Sequence, residues 1–269
     1  MTKTLKDTNT AFRAVHHQDI IGYYEEATRD YEVWSVQFHM HFGYFAPGAR
    51  SREAMLQEMS RRVLARLNLH EVHGASVVLD MGCGLGATMR DGAEWYPRAT
   101  FHGVTLVGWQ ARRAAEMNAE HPHGARLHIH EGEYTRTEFA QGMADGVIAI
   151  ESACHASGAD KADWVLEAAR VLRSGGRVAV ADAFRIRADR PLNWVQRRAY
   201  QVLRRNWALE SFATLDAFTA ALSRHGFKDV VVEDISARVA PSVMHVPWVT
   251  VKFLVQQWWR GERIEGWRW

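Results

Sequence analysis

The stretch Val77-Val78-Leu79-Asp80-Met81-Gly82-Cys83-Gly84-Leu85-Gly86 carries an apolar run straight into glycines at alternate positions. The run reads as a buried strand and the glycines as the tight turn after it. Glycine turns sharply and leaves no Cβ between the backbone and a ligand. Open α/β sheets bind ligands at the carboxyl ends of their strands, so this loop is a candidate nucleotide site. Dinucleotide enzymes share such a glycine pattern, which makes the glycines alone a weak signal. Two details point away from those enzymes. Asp80 stands two residues before the first glycine, where a carboxylate meets an amino or hydroxyl group of a ligand. No lysine follows for a triphosphate, which excludes a P-loop.

Outward from this loop, short apolar runs alternate with helical patterns. The runs are Val77–Asp80, Phe101–Leu106, Arg126–His130, Gly146–Ile150 and Arg177–Ala181, and Gln110–Ala119 and Lys161–Leu172 fall between them as helices. This rhythm predicts βαβ units, a parallel sheet and helices on both faces. Ser174-Gly175-Gly176 is expected to stop the second of those helices. Upstream, Met55, Leu56, Met59, Val63, Leu64 and Leu67 recur at helical spacing within residues 51–69, with Ser51 as cap. Downstream, Leu215–His225 reads as a helix closed by Gly226, and Val230–Val232 as a strand. The segment 184–211 breaks the rhythm and reads as a helical insertion over the sheet edge. It carries Arg185, Arg187, Arg190, Arg197, Arg198, Arg204 and Arg205 among Trp194, Tyr200 and Trp207. Val249–Trp259 reads as a last helix or strand-helix.

The chain has 269 residues, 47% hydrophobic and 24% charged, enough for a sizeable core and too apolar for disorder. A net charge of +2 does not indicate a nucleic-acid surface. No apolar run approaches the roughly 20 residues of a membrane span. The opening MTKTLKDTNT lacks the apolar core of a secretory signal, and two cysteines make no disulfide framework. A cytoplasmic protein is therefore expected, and an assembly of identical subunits with it. Eleven Trp, 11 Phe and 7 Tyr suggest a large apolar pocket or interface besides the core.

The motifs recur in a fixed order. Leu79-Asp80-Met81-Gly82-Cys83-Gly84-Leu85-Gly86 resembles motif I of class I S-adenosyl-L-methionine (SAM) methyltransferases. Gly103-Val104-Thr105-Leu106 with Gln110 is similar to the second motif of their sterol and cyclopropane-type branch, and Gly132-Glu133-Tyr134 to the motif beside the adenine. Ile150-Glu151-Ser152-Ala153-Cys154-His155-Ala156 resembles a signature of sterol C-methyltransferases, and Arg170-Val171-Leu172-Arg173-Ser174-Gly175-Gly176 a further family signature. Tyr23-Tyr24-Glu25 with His39-Met40-His41-Phe42-Gly43-Tyr44 is similar to the capping segment of geranyl diphosphate C-methyltransferases. Two departures stand out: Val107 replaces the usual serine of the second motif, and Thr105 stands where many SAM enzymes place an acidic residue for the ribose.

The resemblance implies a single Rossmann-like domain over 1–269, with a seven-stranded sheet. Residues 1–70 form an N-terminal helical cap and helix, 76–183 the SAM-binding core, 184–211 the insertion after strand five, and 212–269 the C-terminal core. It implies SAM contacts from Asp80, Gly82, Cys83, Gly84, Gly86, Thr105, Leu106, Gln110, Glu133, Tyr134 and Ile150. It places Tyr23, His41, Tyr44 and Phe45 at the substrate, with Tyr24, Tyr44 and Phe45 facing a cation. The implied activity is C-methylation of an isoprenoid alkene through a carbocation, with or without cyclisation. O- or N-methylation of a small molecule is the alternative.

Several residues carry two readings. Glu151 is a proton acceptor or a carboxylate bonded to the N-terminal segment for stability. His155 orients Glu151 or caps the next helix. Tyr23, Tyr24 and Trp34 sit at helical spacing, as core residues often do, while the aromatic count moves Tyr24 towards a pocket. His121, His123, His128 and His130 lack a completing ligand of known spacing, so they read as surface histidines and no metal site is expected from them. The arginines at 197, 198, 204 and 205 return at seven-residue intervals. Arg197 and Arg198 are candidates for a substrate diphosphate, with Mg²⁺ bridging if the substrate is one.

Overall fold

The computed structural model describes residues 17–25, 31, 34–186, 189–251 and 259. Arg187 and most of the Val249–Trp259 stretch lie outside the described residues, as do parts of the expected cap.

Five parallel strands form the centre: β1 (Ser76–Met81), β2 (Ala99–Thr105), β3 (Leu127–Glu131), β4 (Ala144–Ile150) and β5 (Leu172–Ala181), in the order β3-β2-β1-β4-β5. The order reverses between β1 and β4, the place where open α/β sheets open a crevice for ligands. Successive side chains of a strand point to opposite faces. Leu79 and Met81 of β1 with Val147 and Ala149 of β4 join one core, with Trp164, Val165 and Phe218. Val78, Ile148 and Ile150 join the other, with Leu64, Met89 and Phe101. Burial on both faces is why these strands read as continuous apolar runs.

Helices α1 (Arg52–Ala65), α2 (Ala87–Trp95), α3 (Gly108–Glu120), α4 (Ala162–Val171) and α5 (Trp194–Asn206) follow in chain order, then α6 (Leu215–Arg224) and α7 (Ser236–Val243). The α1 N-terminus is held by Ser51, whose hydroxyl accepts from the Ala54 amide, and Met55, Leu56, Met59, Val63 and Leu64 are its buried face. Residues 17–25 are helical, and residues 34–49 lead from there across the carboxyl edge of the sheet into α1.

Three expectations need correction. The seven strands do not share one sheet: β6 (Phe184–Arg185) and β7 (Ala213–Thr214) form a separate parallel pair. That pair closes the base of the insertion. Val230–Val232 is not a strand, and Val231 is 88% exposed. Gly226 and Asp229, both at positive φ, turn the chain after α6, and the three valines have no ladder partner among the described residues. Ser174-Gly175-Gly176 does not stop α4. The helix ends at Val171, and these residues lie inside β5, where the register jumps from Ala144↔Leu172 to Gly146↔Arg177. An extra stretch on one strand of a pair makes a bulge, and glycine favours it.

The insertion is helical as expected. Its α5 starts with a capping box from Asn193 and Gln196 and buries none of its residues.

Candidate active site

A cleft of about 1040 Å³, its open mouth included, lies over the carboxyl ends of β1, β2 and β4. The β1–α2 loop is its floor. Gly82 and Gly84 have φ of 106° and 53°. A Cβ on Gly82 would stand 2.3 Å from that of Ser152, and one on Gly84 2.7 Å from Met40 Sδ. Both positions therefore require glycine, for space as well as for φ. Gly86, also at positive φ, leads into α2.

Asp80 ends the apolar run of β1 and faces the cleft, 4% exposed. Burial pushes its carboxyl up to about 7, and no described residue donates a hydrogen bond to it. A carboxylate without a protein partner calls for a cationic or donor group from a ligand. Across the cleft, Thr105 Oγ1 donates to Gln110 Oε1 at 2.7 Å. That bond turns the Gln110 amide nitrogen towards Met40 Sδ, 3.8 Å away. Leu106, Glu133, Tyr134 and Ile150 also line the wall. Tyr134 is held by its hydroxyl, which donates to the Ser152 carbonyl at 2.8 Å, and Glu133 accepts from Thr135.

Glu151 follows β4 at φ 50°, an unusual conformation for a residue with a Cβ. Its amide is anchored to the Ala181 carbonyl of β5 at 2.8 Å. Its carboxylate accepts from the Phe42 amide of the cap at 2.8 Å. Burial pushes the carboxyl up to about 8; the Phe42 N–H opposes this and the nearby Asp182 adds to it. A strained, half-buried carboxyl in a cleft is a feature of functional sites. Beside it, Tyr24 Oη and His155 Nε2 lie 3.1 Å apart. Burial raises the Tyr24 hydroxyl well above its usual range. His155 is thus tied to Tyr24.

Tyr24, His41, Glu151 and His155 all line the cleft. Tyr23 packs against Tyr24 at 4.9 Å between ring centroids, behind the wall. Tyr44 is in the α1 core under the Arg62 guanidinium, 3.9 Å from its ring centroid, and Phe45 donates its amide to the Arg238 carbonyl. Neither ring lines the cleft. Arg197 and Arg198 are exposed on α5, and Arg197 donates to the Leu192 carbonyl. Among the described residues no group of three or more His, Cys, Asp or Glu side chains is arranged for a metal, and no helix is long and apolar enough to cross a membrane.

Three further features shape the site. His39 lines the cleft, and its Nε2 meets Asp91 of α2 at 2.8 Å, which ties the cap to the core. Lys161 is fully buried and donates to the carbonyls of Cys154, Ala156 and Ser211 at 3.0, 2.7 and 2.8 Å. Asp182 accepts from the Cys154 amide at 2.8 Å. Lys161 and Asp182 brace the segment that holds His155. Only the His39-Met40-His41 run, already a motif, offered a clue to the first of these.

The family described as "Methyltransferase domain" matches residues 78–176, which hold Asp80, the glycine loop, Thr105, Glu133 and Glu151. Over those residues the chain is similar to a methyltransferase domain. Among curated proteins, it is similar to a chloroplastic tocopherol O-methyltransferase of Arabidopsis thaliana, 26% identical over 78% of this chain and 62% of that protein. It is also similar to 24-methylenesterol C-methyltransferase 2 of Oryza sativa subsp. japonica, 27% identical over 90% of this chain and 63% of the relative. The chain thus spans about six-tenths of the length of these relatives. Among solved structures it resembles geranyl diphosphate C-methyltransferase from Streptomyces coelicolor, in complex with Mg²⁺, geranyl diphosphate and S-adenosyl-L-homocysteine. The TM-score is 0.69 at 17% identity, covering 84% of this chain and 85% of the other. At that identity the likeness is one of fold.

Proposed function

We propose that the protein is a SAM-dependent C-methyltransferase acting on an alkene of an isoprenoid. The observation that carries this reading is Glu151: a half-buried carboxyl on strained backbone, in a cleft walled partly by aromatic rings, with Asp80 and the glycine loop at its floor. The wall suits SAM. Asp80 awaits a cationic or donor group, and Gln110 and Glu133 offer polar contacts.

SAM supplies an electrophilic methyl carbon on sulfur. The glycine loop and Asp80 would hold SAM in the cleft. The alkene's π electrons form the new C–C bond as the C–S bond breaks, which leaves a tertiary carbocation on the substrate. The rings of Tyr24 and Tyr134 face that charge, each worth about 0.5–2 kcal/mol by cation–π attraction. The Glu151 carboxylate then takes a proton from a neighbouring carbon, and the C–H electrons restore the alkene. His155 holds Tyr24, and the Phe42 amide holds the carboxylate in place.

Labelled SAM incubated with a panel of prenols, prenyl diphosphates, terpenoids and phenols tests this reading. The expected product has a new methyl on carbon, located by NMR. A methyl found on oxygen would replace this reading by O-methylation.

A further inference from the structure

The cap histidine His41 has a defined tautomer. Its Nδ1 lies 2.9 Å from the Phe42 carbonyl. A carbonyl only accepts, so Nδ1 carries the hydrogen and Nε2 is left as a bare acceptor. Among the described residues Nε2 has no hydrogen-bond partner, although it is buried and His41 is only 7% exposed. A buried acceptor without a donor costs about 1–3 kcal/mol. His41 nevertheless lines the cleft, next to the residue whose amide holds Glu151. Burial and the neighbouring His39 push its ring down to about 3, so it stays neutral and offers no charge to an anion.

The rest of the wall agrees. Four carboxyl groups line the cleft, those of Asp80, Glu133, Glu151 and Asp163, and among the described residues no lysine or arginine does. Arg197 and Arg198 lie on α5, outside the lining. A diphosphate placed in such a wall would meet carboxylates with no lysine or arginine among the described residues to pair with it.

We infer that the cleft takes an uncharged isoprenoid alcohol whose hydroxyl donates to His41 Nε2, and not a prenyl diphosphate. This rests on the isoprenoid reading above, and it assigns the polar end of the substrate. The alcohol satisfies a buried acceptor that the described residues leave unpaired. Its chain then lies against the Tyr24 side, with the alkene towards Glu151. Specificity follows from pairing: a site built around a hydroxyl rejects an analogue that lacks the donor.

Calorimetry on the full chain loaded with S-adenosyl-L-homocysteine tests the inference. The probes are geraniol, farnesol and geranylgeraniol, their methyl ethers, and their diphosphates with Mg²⁺. At least one alcohol is expected to bind about tenfold more tightly than both its ether and its diphosphate, equivalent to about 1.4 kcal/mol. In His41→Phe the gap between alcohol and ether closes, while S-adenosyl-L-homocysteine affinity stays within about twofold. Overturning results are a diphosphate that binds most tightly, an ether that binds as well as its alcohol, no alcohol binding at all, or an unchanged gap in His41→Phe. The ether and diphosphate arms use the wild-type chain, so they decide the matter even where the variant does not fold. Binding is read apart from chemistry: O-methylated product with this binding pattern would overturn the C-methylation reading and leave the His41 assignment standing.

Discussion

The Phe42 amide donates to the Glu151 carboxylate at 2.8 Å across 109 positions of sequence. One end of the bond is in the cap and the other follows β4. It links closure of the cleft to the placement of the carboxyl group best suited to accept a proton. Glu151 is therefore both of the things its type and position suggested, an anchor for the N-terminal segment and a candidate base. The two roles separate by experiment.

Glu151→Gln preserves an oxygen that accepts from the Phe42 amide but removes the proton-accepting carboxylate. Turnover should fall by at least about 100-fold, the range usual for a lost general base, with SAM affinity nearly unchanged by calorimetry. Activity within a few-fold of wild type would leave Glu151 with only its anchoring role.

The same carboxyl sets a dependence of stability on pH. Its folded value of about 8 lies above the ordinary 4.5. Between those values the folded state binds more protons than the unfolded state, so this group's contribution is complete below about 4.5 and is lost as pH rises through about 8. Glu151→Gln removes that loss. The variant should melt a few °C above wild type at pH 8.5 and close to it at pH 5; thermal scans at both values check this. Turnover of wild type should rise with pH towards 8 as the carboxylate forms.

Asp80 titrates near 7 in its buried position. If its carboxylate holds the amino group of SAM, affinity should weaken towards about tenfold per unit as pH falls below that value. Asp80→Asn should bind SAM weakly at all pH values and lose the slope. A titration series from pH 5.5 to 8.5 in wild type and variant distinguishes this from a purely structural carboxyl.

Gly84→Val should abolish SAM binding, because its side chain would enter the space between the loop and Met40 at a φ that valine disfavours. Circular dichroism and calorimetry together separate a folded chain that cannot bind from an unfolded one. Unchanged SAM titration in the folded variant would remove the loop from the site.

Lys161→Met leaves three carbonyls without their shared donor. A loss of stability of about 3 kcal/mol or more is expected. Because the bonds join the His155 segment to Ser211 at the end of the insertion, kcat should fall more than SAM affinity. Denaturant melts and steady-state kinetics read the two effects.

Much of the domain was legible from residue order alone. The glycine loop, the five strands and helices α1, α3, α4 and α6 follow from apolar runs, helical spacing and turn residues, which act over a few positions and need no knowledge of partners. Asp80, Thr105, Gln110 and Glu133 were legible for a related reason. Each sits at or just past the carboxyl end of a parallel strand, and parallel strands in register bring those ends to one edge.

Tertiary packing decided the rest. Tyr44 and Phe45 follow within four positions of His41, yet of these three only His41 lines the cleft, because Tyr44 packs on α1 and Phe45 pairs with Arg238. No local pattern distinguishes these neighbours; the contacts that sort them come from residues far along the chain. Val230–Val232 has strand composition but no ladder to join, and a strand exists only through its neighbour. The seven arginines announce charge in the insertion without saying which way it faces. Residue order alone put a glycine turn and a carboxylate at the end of β1. Only the folded chain decided which charges line the cleft above them, since burial and pairing depend on distances that sequence separation does not record.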